Sequence, residues 1–239
     1  SYIENVKISA STEPENLAVN CIRFEIEENK LKLISSDTYR LTYIEEELEE
    51  NEKNKEGLSV SIPLKTIDGL IKIMRLINED NIIFKSDGTR VFFKFSNIEI
   101  LTRVIELQFP DYKSILKSAQ HDKKILLNTK DFLSVLKRTL IFVRDNKDSK
   151  NGGIFNFENK KLVLTGINEN AKIKEELVTI QEGDNLKISL NVKFLLDYIS
   201  ILEGKVTELK LMTSKSSVLV KSEENDKSLY FTMPLALRE

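Results

Sequence analysis

Apolar and polar residues alternate along Phe24-Glu-Ile-Glu-Glu-Asn-Lys-Leu-Lys-Leu, with a polar Glu-Asn-Lys break near the middle. A period of two sends successive side chains to opposite faces of a strand, so the segment predicts a β-hairpin with one apolar face. The pattern returns as Phe155-Asn-Phe-Glu-Asn-Lys-Lys-Leu-Val-Leu. Two more segments recur at the same interval. Ile62-Pro-Leu-Lys-Thr-Ile-Asp-Gly-Leu-Ile-Lys-Ile-Met is answered by Leu190-Asn-Val-Lys-Phe-Leu-Leu-Asp-Tyr-Ile-Ser-Ile-Leu, each a strand end running into an amphipathic helix. Residues 82–95 are answered by 209–220, each a hairpin, with turns at Ser86-Asp-Gly and Thr213-Ser-Lys-Ser. The interval of about 130 residues is far longer than a solenoid repeat and predicts two copies of one domain. Many strands and few helices in each copy make the fold class α+β.

Helix signals refine this picture. Pro63 stands where a helix begins, since its missing N–H costs nothing there, and Leu64, Ile67, Ile71 and Met74 follow at helical spacing. Thr129 is the expected N-cap of a helix reaching Val143, with Phe132, Val135, Leu136 and Thr139 inward. Asn191 caps a third helix, with Phe194, Leu195, Tyr198 and Ile199 on its apolar face and Gly204 ending it. Only residues 2–10 remain to supply the first copy's opening helix. They are too few, so the chain is expected to begin inside that helix, as a piece of a longer protein. A polar link at residues 118–123 places the boundary, giving domains 1–119 and 120–239.

Composition narrows the function classes. Of 239 residues, 41% are hydrophobic and 31% charged, which suits a folded globular chain rather than a disordered one. No apolar run approaches the roughly 20 residues that span a bilayer, and the opening residues lack a charged-then-apolar signal pattern. One cysteine, Cys21, excludes an internal disulfide framework and fits a reducing cytosol. The net charge of −2 does not advertise nucleic-acid binding. Its distribution is uneven: residues 1–120 carry 16 Lys/Arg against 21 Asp/Glu, and residues 121–239 carry 20 against 17, so the second copy is mildly basic.

Catalytic chemistry is poorly supplied. The single histidine, His121, falls in the inter-domain link and is expected to be a solvated surface residue; it rules out a multi-histidine metal site. Cys21 lies in an apolar strand-like run and reads as a small core residue. No GxxxxGK[ST] or GxGxxG loop occurs to cradle a phosphate. The acidic run at residues 45–56 reads as a solvated connection, and aromatic residues do not interleave with basic ones as a single-strand stacking platform needs. No catalytic residue, metal or cofactor is therefore expected.

Three short strings carry a resemblance. Ser36-Asp37-Thr38-Tyr39-Arg40-Leu41 resembles the [TS]-D-x-[HY]-R-L segment of bacterial sliding clamps, the DNA polymerase III beta subunit family. Phe109-Pro110-Asp111-Tyr112, followed by Ile115 and Leu116, is similar to their F-P-D-Y motif, and Tyr230-Phe231-Thr232-Met233-Pro234-Leu235 to their Y-x-x-M-P-[MVL] ending. The order and spacing match over essentially the whole chain, which maps onto the second and third of the family's three domains. The resemblance implies tandem clamp domains with helices lining an inner face and antiparallel sheets outside. In the family, two three-domain protomers close head to tail as a homodimer ring around duplex DNA and tether the DNA polymerase III alpha subunit, the clamp loader and repair proteins.

The resemblance also implies sites. A pocket between the two domains receives a linear motif, typically a glutamine followed by leucine and an apolar or aromatic pair. Its walls carry over to Val19, Ser36, Thr38, Tyr39, Arg40, Leu41, Pro110, Ile115, Ser217, Phe231, Met233, Pro234 and Leu235. Helix lysines and arginines that would meet DNA phosphates are Lys65, Lys72, Arg75, Lys137, Arg138 and Lys193. Some positions depart from the family pattern. Thr38 stands where glycine is frequent and Tyr39 where histidine is; Asn16 and Ser114 replace basic residues and Lys215 an apolar one; Ala236-Leu237-Arg238-Glu239 extends the ending. Two other readings compete: an interaction module that keeps the pocket without encircling DNA, and a carboxylate-based hydrolase, which needs inward acids meeting in a cleft.

Overall fold

The one-sided strands and helices of the sequence form the expected elements in a computed structural model, which describes residues 2–48, 57–77, 82–95, 97–118, 120–147 and 149–236. The chain divides into two units, Ser1–Asp111 and Tyr112–Glu239. The division precedes the polar link at 118–123, and helix α3 (Tyr112–Ser118) lies between the two positions.

In the first unit, α1 (Tyr2–Lys7) is followed by β1 (Cys21–Glu27), β2 (Lys30–Ser36), β3 (Arg40–Glu47), β4 (Leu58–Pro63), α2 (Leu64–Ile77), β5 (Ile83–Ser86), β6 (Arg90–Phe95) and β7 (Ile98–Arg103). The strands run β3-β2-β1-β4 and β5-β6-β7, all antiparallel. Phe24 sits opposite Leu33 and Ile26 opposite Leu31, so the apolar partners of the hairpin share one face. That face meets Ile67, Leu70 and Ile71 of α2, Val6 of α1, and Val91, Phe93 and Phe95 of β6 in one core. Phe84 bridges Phe24 and Phe93, with ring centroids 5.5 Å from each. Leu70 joins the buried face of α2, whereas Met74 is only half-buried. Of the acidic run, residues 45–47 close β3, and 49–56 lie outside the described residues.

The second unit repeats this plan with additions. After α3 come β8 (Lys123–Asn128), α4 (Thr129–Val143), β9 (Gly152–Glu158), β10 (Lys161–Ile167), β11 (Lys172–Val178), β12 (Ile180–Glu182), β13 (Leu186–Asn191), α5 (Val192–Ile199), β14 (Val206–Leu211), β15 (Val218–Ser222) and β16 (Asn225–Thr232). One sheet runs β11-β10-β9-β13, the same order as β3-β2-β1-β4, and Phe155 opposes Leu164 as Phe24 opposes Leu33. The order β14-β15-β16 reproduces β5-β6-β7, with β8 and β12 added beyond β14. α4 buries Phe132, Val135, Leu136 and Thr139, as its periodicity requires. Gly166 of β10 permits its close approach, because a Cβ there would stand 2.7 Å from the Val143 side chain and 3.0 Å from that of Thr139.

Two helix boundaries differ from expectation. The N-cap of α4 is Asn128, whose extended backbone lets Oδ1 accept from the Asp131 amide at 3.1 Å. The Thr129 hydroxyl instead meets that of buried Thr207 at 3.0 Å. Asn191 caps α5 as expected, accepting from Phe194 N at 3.1 Å. However, α5 ends at Ile199 with Ser200 as a right-handed C-cap, and Gly204 (φ +117) belongs to the turn before β14.

Tyr198 of α5 and Tyr230 of β16 stack with centroids 4.5 Å apart. Their hydroxyls donate to Ser228 O (3.1 Å) and Phe194 O (3.0 Å). Burial pushes the Tyr198 phenol up to about 12, against a hydrogen bond to Ser228 that lowers it. The neutral phenol is the form that folds. Its contribution is therefore complete below pH 10, where the unfolded tyrosine titrates, and is lost as pH rises toward 12. Tyr198→Phe is expected to cost about 1 kcal/mol at neutral pH through the lost hydrogen bond. It should also flatten the fall in stability between pH 10 and 12 by one proton's worth. Denaturant titrations of both proteins at pH 7 and 11 measure this, and an unchanged alkaline slope contradicts it.

Candidate functional site

The Ser36–Leu41 string forms the turn joining β2 to β3, and its residue types explain the geometry. Ser36 Oγ donates to Arg40 O (2.8 Å) and accepts from Thr38 N (3.0 Å). Asp37 Oδ1 accepts from the amides of Tyr39 and Arg40, each at 3.0 Å, and its Oδ2 accepts from Arg40 Nε at 2.8 Å. The serine and aspartate thus satisfy the turn's backbone, and the arginine folds back onto the aspartate. Thr38 is held at φ 77, a left-handed conformation costly for a β-branched residue. The outcome is directional: Tyr39 stands 66% exposed at the tip, while Leu41 enters β3 buried.

The same network occurs again in the first unit. Between β5 and β6, Ser86 Oγ donates to Arg90 O (2.9 Å) and accepts from Gly88 N (3.0 Å). Asp87 Oδ1 accepts from the amides of Thr89 (3.0 Å) and Arg90 (2.7 Å), and its Oδ2 from Arg90 Nε (3.0 Å). The backbone donors, Arg90 first, hold the Asp87 carboxyl down at about 2. Gly88 (φ +91) occupies the place that Thr38 fills in the other turn. Ser-Asp-x-x-Arg therefore builds the turn at both places, and Asp37, absent from the expected wall residues, is the group that positions Tyr39 and Arg40.

The remaining wall residues fall into two sets, one on each unit. In the first, Val19 is buried in a loop whose Val19 O accepts from Ser11 N at 3.1 Å. Ser9, nearby, meets Thr42 beside Leu41 through a 2.7 Å hydroxyl contact. Pro110 is half-buried after buried Phe109. In the second, Ile115 is half-buried on α3. Phe231 is buried on β16 opposite Leu219, and half-buried Ser217 immediately precedes Val218, which pairs with Thr232. Ser217 and Met233 therefore flank the same end of the β15-β16 pair. Met233 leaves the strand 47% exposed, half-buried Pro234 follows, and Leu235 N donates to Ser189 O of β13 at 2.8 Å, tying the segment back to the unit. Residues 237–239 of the extended ending lie outside the described residues.

All six basic candidates are exposed on helices, but they differ electrostatically. Arg75 pairs with Glu4, Lys193 with Asp197, and Arg138 with Glu175 through two bonds of 2.6 and 2.8 Å. The Arg138 guanidinium holds the Glu175 carboxyl below the usual range. Lys65, Lys72 and Lys137 have no carboxylate partner among the described residues. Lys130 shares the exposed face of α4 with Lys137, seven residues on; a helical-period reading of the basic positions finds it.

Elsewhere the ionisable groups behave as structural ones. Cys21 is buried and burial pushes its thiol up to about 11, which makes it a poor nucleophile. His121 is half-buried rather than solvated, because the next residue, Asp122, is tied by its amide to Leu211 O (3.1 Å) at the head of β8. Burial, then Lys210, lowers its pKa. Among the described residues no three His, Cys, Asp or Glu side chains gather as a metal site would need, and no helix is long and apolar enough to cross a membrane.

Residues 1–111 match the family model for the central domain of the DNA polymerase III beta subunit, and residues 114–236 match that for its C-terminal domain. The chain belongs to the DNA polymerase III beta subunit family. It is 28% identical over 239 residues to the beta sliding clamp of Buchnera aphidicola, covering 98% of this chain and 62% of that protein. It is 26% identical over 237 residues to that of Staphylococcus epidermidis, covering 98% and 61%. The crystal structure of the DNA polymerase III beta subunit of Thermotoga maritima superposes with a TM-score of 0.90 at 25% identity, covering 99% of this chain and 62% of that one. The chain thus spans less than two thirds of the length of these beta subunits.

Thr38→Gly is expected to raise stability by up to ~1 kcal/mol, relief of the left-handed strain outweighing glycine's greater unfolded freedom. Asp37→Ala removes three hydrogen bonds and is expected to cost about 2 kcal/mol. Chemical denaturation of the two variants measures both, and a Thr38→Gly protein less stable than the parent contradicts a strained turn.

Proposed function

We propose that this chain serves DNA replication as the second and third domains of a sliding clamp, a processivity factor that encircles duplex DNA as a homodimer ring and tethers its partners by a peptide pocket. The observation that carries this reading is the succession of two family-matched domains over residues 1–111 and 114–236. Its partners on this reading are the DNA polymerase III alpha subunit, the clamp loader and repair proteins, and its compartment is the cytoplasm, at the nucleoid. Tethering needs no catalytic group, in keeping with an inert thiol and a single histidine.

Recognition on this reading is anchor-in-pocket binding. The partner's leucine and aromatic side chains displace water from Tyr39, Pro110, Ile115, Met233, Pro234 and Leu235 over the buried supports Leu41 and Phe231, while Ser36, Thr38, Arg40 and Ser217 set orientation around Val19. Methionine and leucine walls repack around different partners. Phosphate attraction falls to Lys65, Lys72 and Lys137, because Arg75, Arg138 and Lys193 are already paired.

Met233→Ala is expected to weaken a Gln-Leu-apolar-aromatic peptide at least tenfold by calorimetry. Deleting residues 233–239 should do the same, and Lys72→Ala should leave peptide affinity unchanged; a deletion that binds like the parent overturns the site. Duplex DNA is expected to bind weakly, without sequence preference and with steep salt dependence. Lys72→Ala and Lys137→Ala should each reduce the slope of log affinity against log salt by about one, and Arg138→Ala by less. Fluorescence anisotropy at several salt concentrations tests this, and tight salt-resistant binding contradicts it.

A further inference from the structure

The connection from α4 to β9 ends on Asn151-Gly152, the one Asn-Gly pair in the sequence. Asn151 holds a left-handed backbone (φ 61), a conformation that asparagine tolerates. Its N–H donates to the carbonyl of Val143, the last residue of α4, at 2.9 Å, and its carbonyl accepts from the amide of Val192, the first residue of α5, at 2.8 Å. One residue's backbone thus ties the ends of two helices. Its side chain is not held in the same way: Oδ1 is buried and has no hydrogen-bond partner among the described residues. By contrast, the Oδ1 atoms of Asn128, Asn168 and Asn191 accept from backbone amides. Asn29 shares the unpartnered Oδ1 but precedes Lys30. Gly152 has no Cβ to obstruct the approach of its nitrogen to Asn151 Cγ. The turn favours glycine there, since a Cβ would stand 2.1 Å from Ser149 Oγ and 3.1 Å from Ser149 O.

We infer that Asn151 is a site of spontaneous deamidation, with water as the co-reactant. Gly152 N, on losing its proton to hydroxide, bonds to Asn151 Cγ. The Cγ–Nδ2 bond breaks, and the nitrogen leaves as ammonia after taking a proton from water. Water then opens the five-membered imide at one of its two carbonyls, and nothing is oxidised or reduced. Opening one way leaves aspartate. Opening the other way leaves isoaspartate, whose main chain runs through Cβ and Cγ and is one carbon longer. The reaction requires the Gly152 N–H to leave Ser149 O, which it meets at 2.9 Å. That is a single turn bond, and local opening releases it without unfolding the unit. The consequence follows from the two helix ties. In isoaspartate the carbonyl that accepted from Val192 becomes a carboxylate on a branch, and β9, whose Gly152 faces Asn191 of β13, is displaced by one carbon. Either product also sets a charge in a half-buried place. This inference is independent of the proposed function.

The test incubates the whole chain under mildly alkaline conditions, folded and in parallel unfolded in urea. Asn151 is followed by mass spectrometry of its peptide and by enzymatic methylation of isoaspartate. The folded chain is expected to convert at Asn151 at least tenfold faster than at Asn29, and within tenfold of the unfolded rate. Its thermal midpoint should fall by several degrees as product accumulates. Asn151→Gly, which suits the left-handed backbone and lacks the amide, should keep its midpoint through the same incubation. A folded chain that converts more than tenfold more slowly than the unfolded one overturns the inference. So does a converted chain whose midpoint is unchanged, or an equal fall in Asn151→Gly.

Discussion

The constraint on which the rest depends is that every sheet in this chain has one apolar face that must be covered. Phe24 opposite Leu33 and Phe155 opposite Leu164 show the consequence twice. A hairpin that places its apolar partners on one side cannot remain alone in water, so a helix with a matching stripe closes over it. Ile67, Leu70 and Ile71 do this in the first unit, and Leu136, Thr139 and Val143 of α4 in the second. The charged helix faces follow from the same demand, since a helix that buries one stripe must present the other to solvent. Placement of Lys65, Lys72, Lys130 and Lys137 is a by-product of core formation before it is anything else.

Much of this was legible in the sequence, because it is local and periodic. The hairpins, the two long amphipathic helices and the Asn191 cap are written in residues close together in the chain. What escaped depends on backbone detail or on distant partners. Asn128 rather than Thr129 caps α4 because its backbone is the extended one, and two adjacent cap-forming residues do not reveal that. Arg138 was expected to be available for phosphate, but it is held by Glu175, which lies 37 residues further along and meets it only once β11 is in place. The Ser-Asp-x-x-Arg string was read as a family mark. At Ser86–Arg90 the sequence predicts a turn but not its likeness to Ser36–Arg40, because the Ser, Asp and Arg that the two share carry a hydrogen-bond pattern rather than a hydrophobic one.

That pattern also connects fold to function. A turn cross-linked through Ser36, Asp37 and Arg40 has little freedom left to lose when something docks on it, so binding there need not order the loop as well. Of the expected apolar wall residues, those with the most surface still to bury are Tyr39 and Met233, 66% and 47% exposed, each anchored at its base. Their neighbours Leu41 and Phe231 are already buried and act as supports. On the proposed reading, rigidity comes from polar turns and strand ends and affinity from a few exposed apolar groups.

The central proposal is that a partner peptide docks on the expected wall residues. Its most direct test is a nuclear magnetic resonance titration of the chain with a Gln-Leu-apolar-aromatic peptide, following the backbone amides of Tyr39 and Leu41 together with those of Ile115 and Met233. The account expects both sets to shift and to saturate along one binding curve with a single dissociation constant. Shifts confined to one unit, or two sets that saturate at different peptide concentrations, would contradict it.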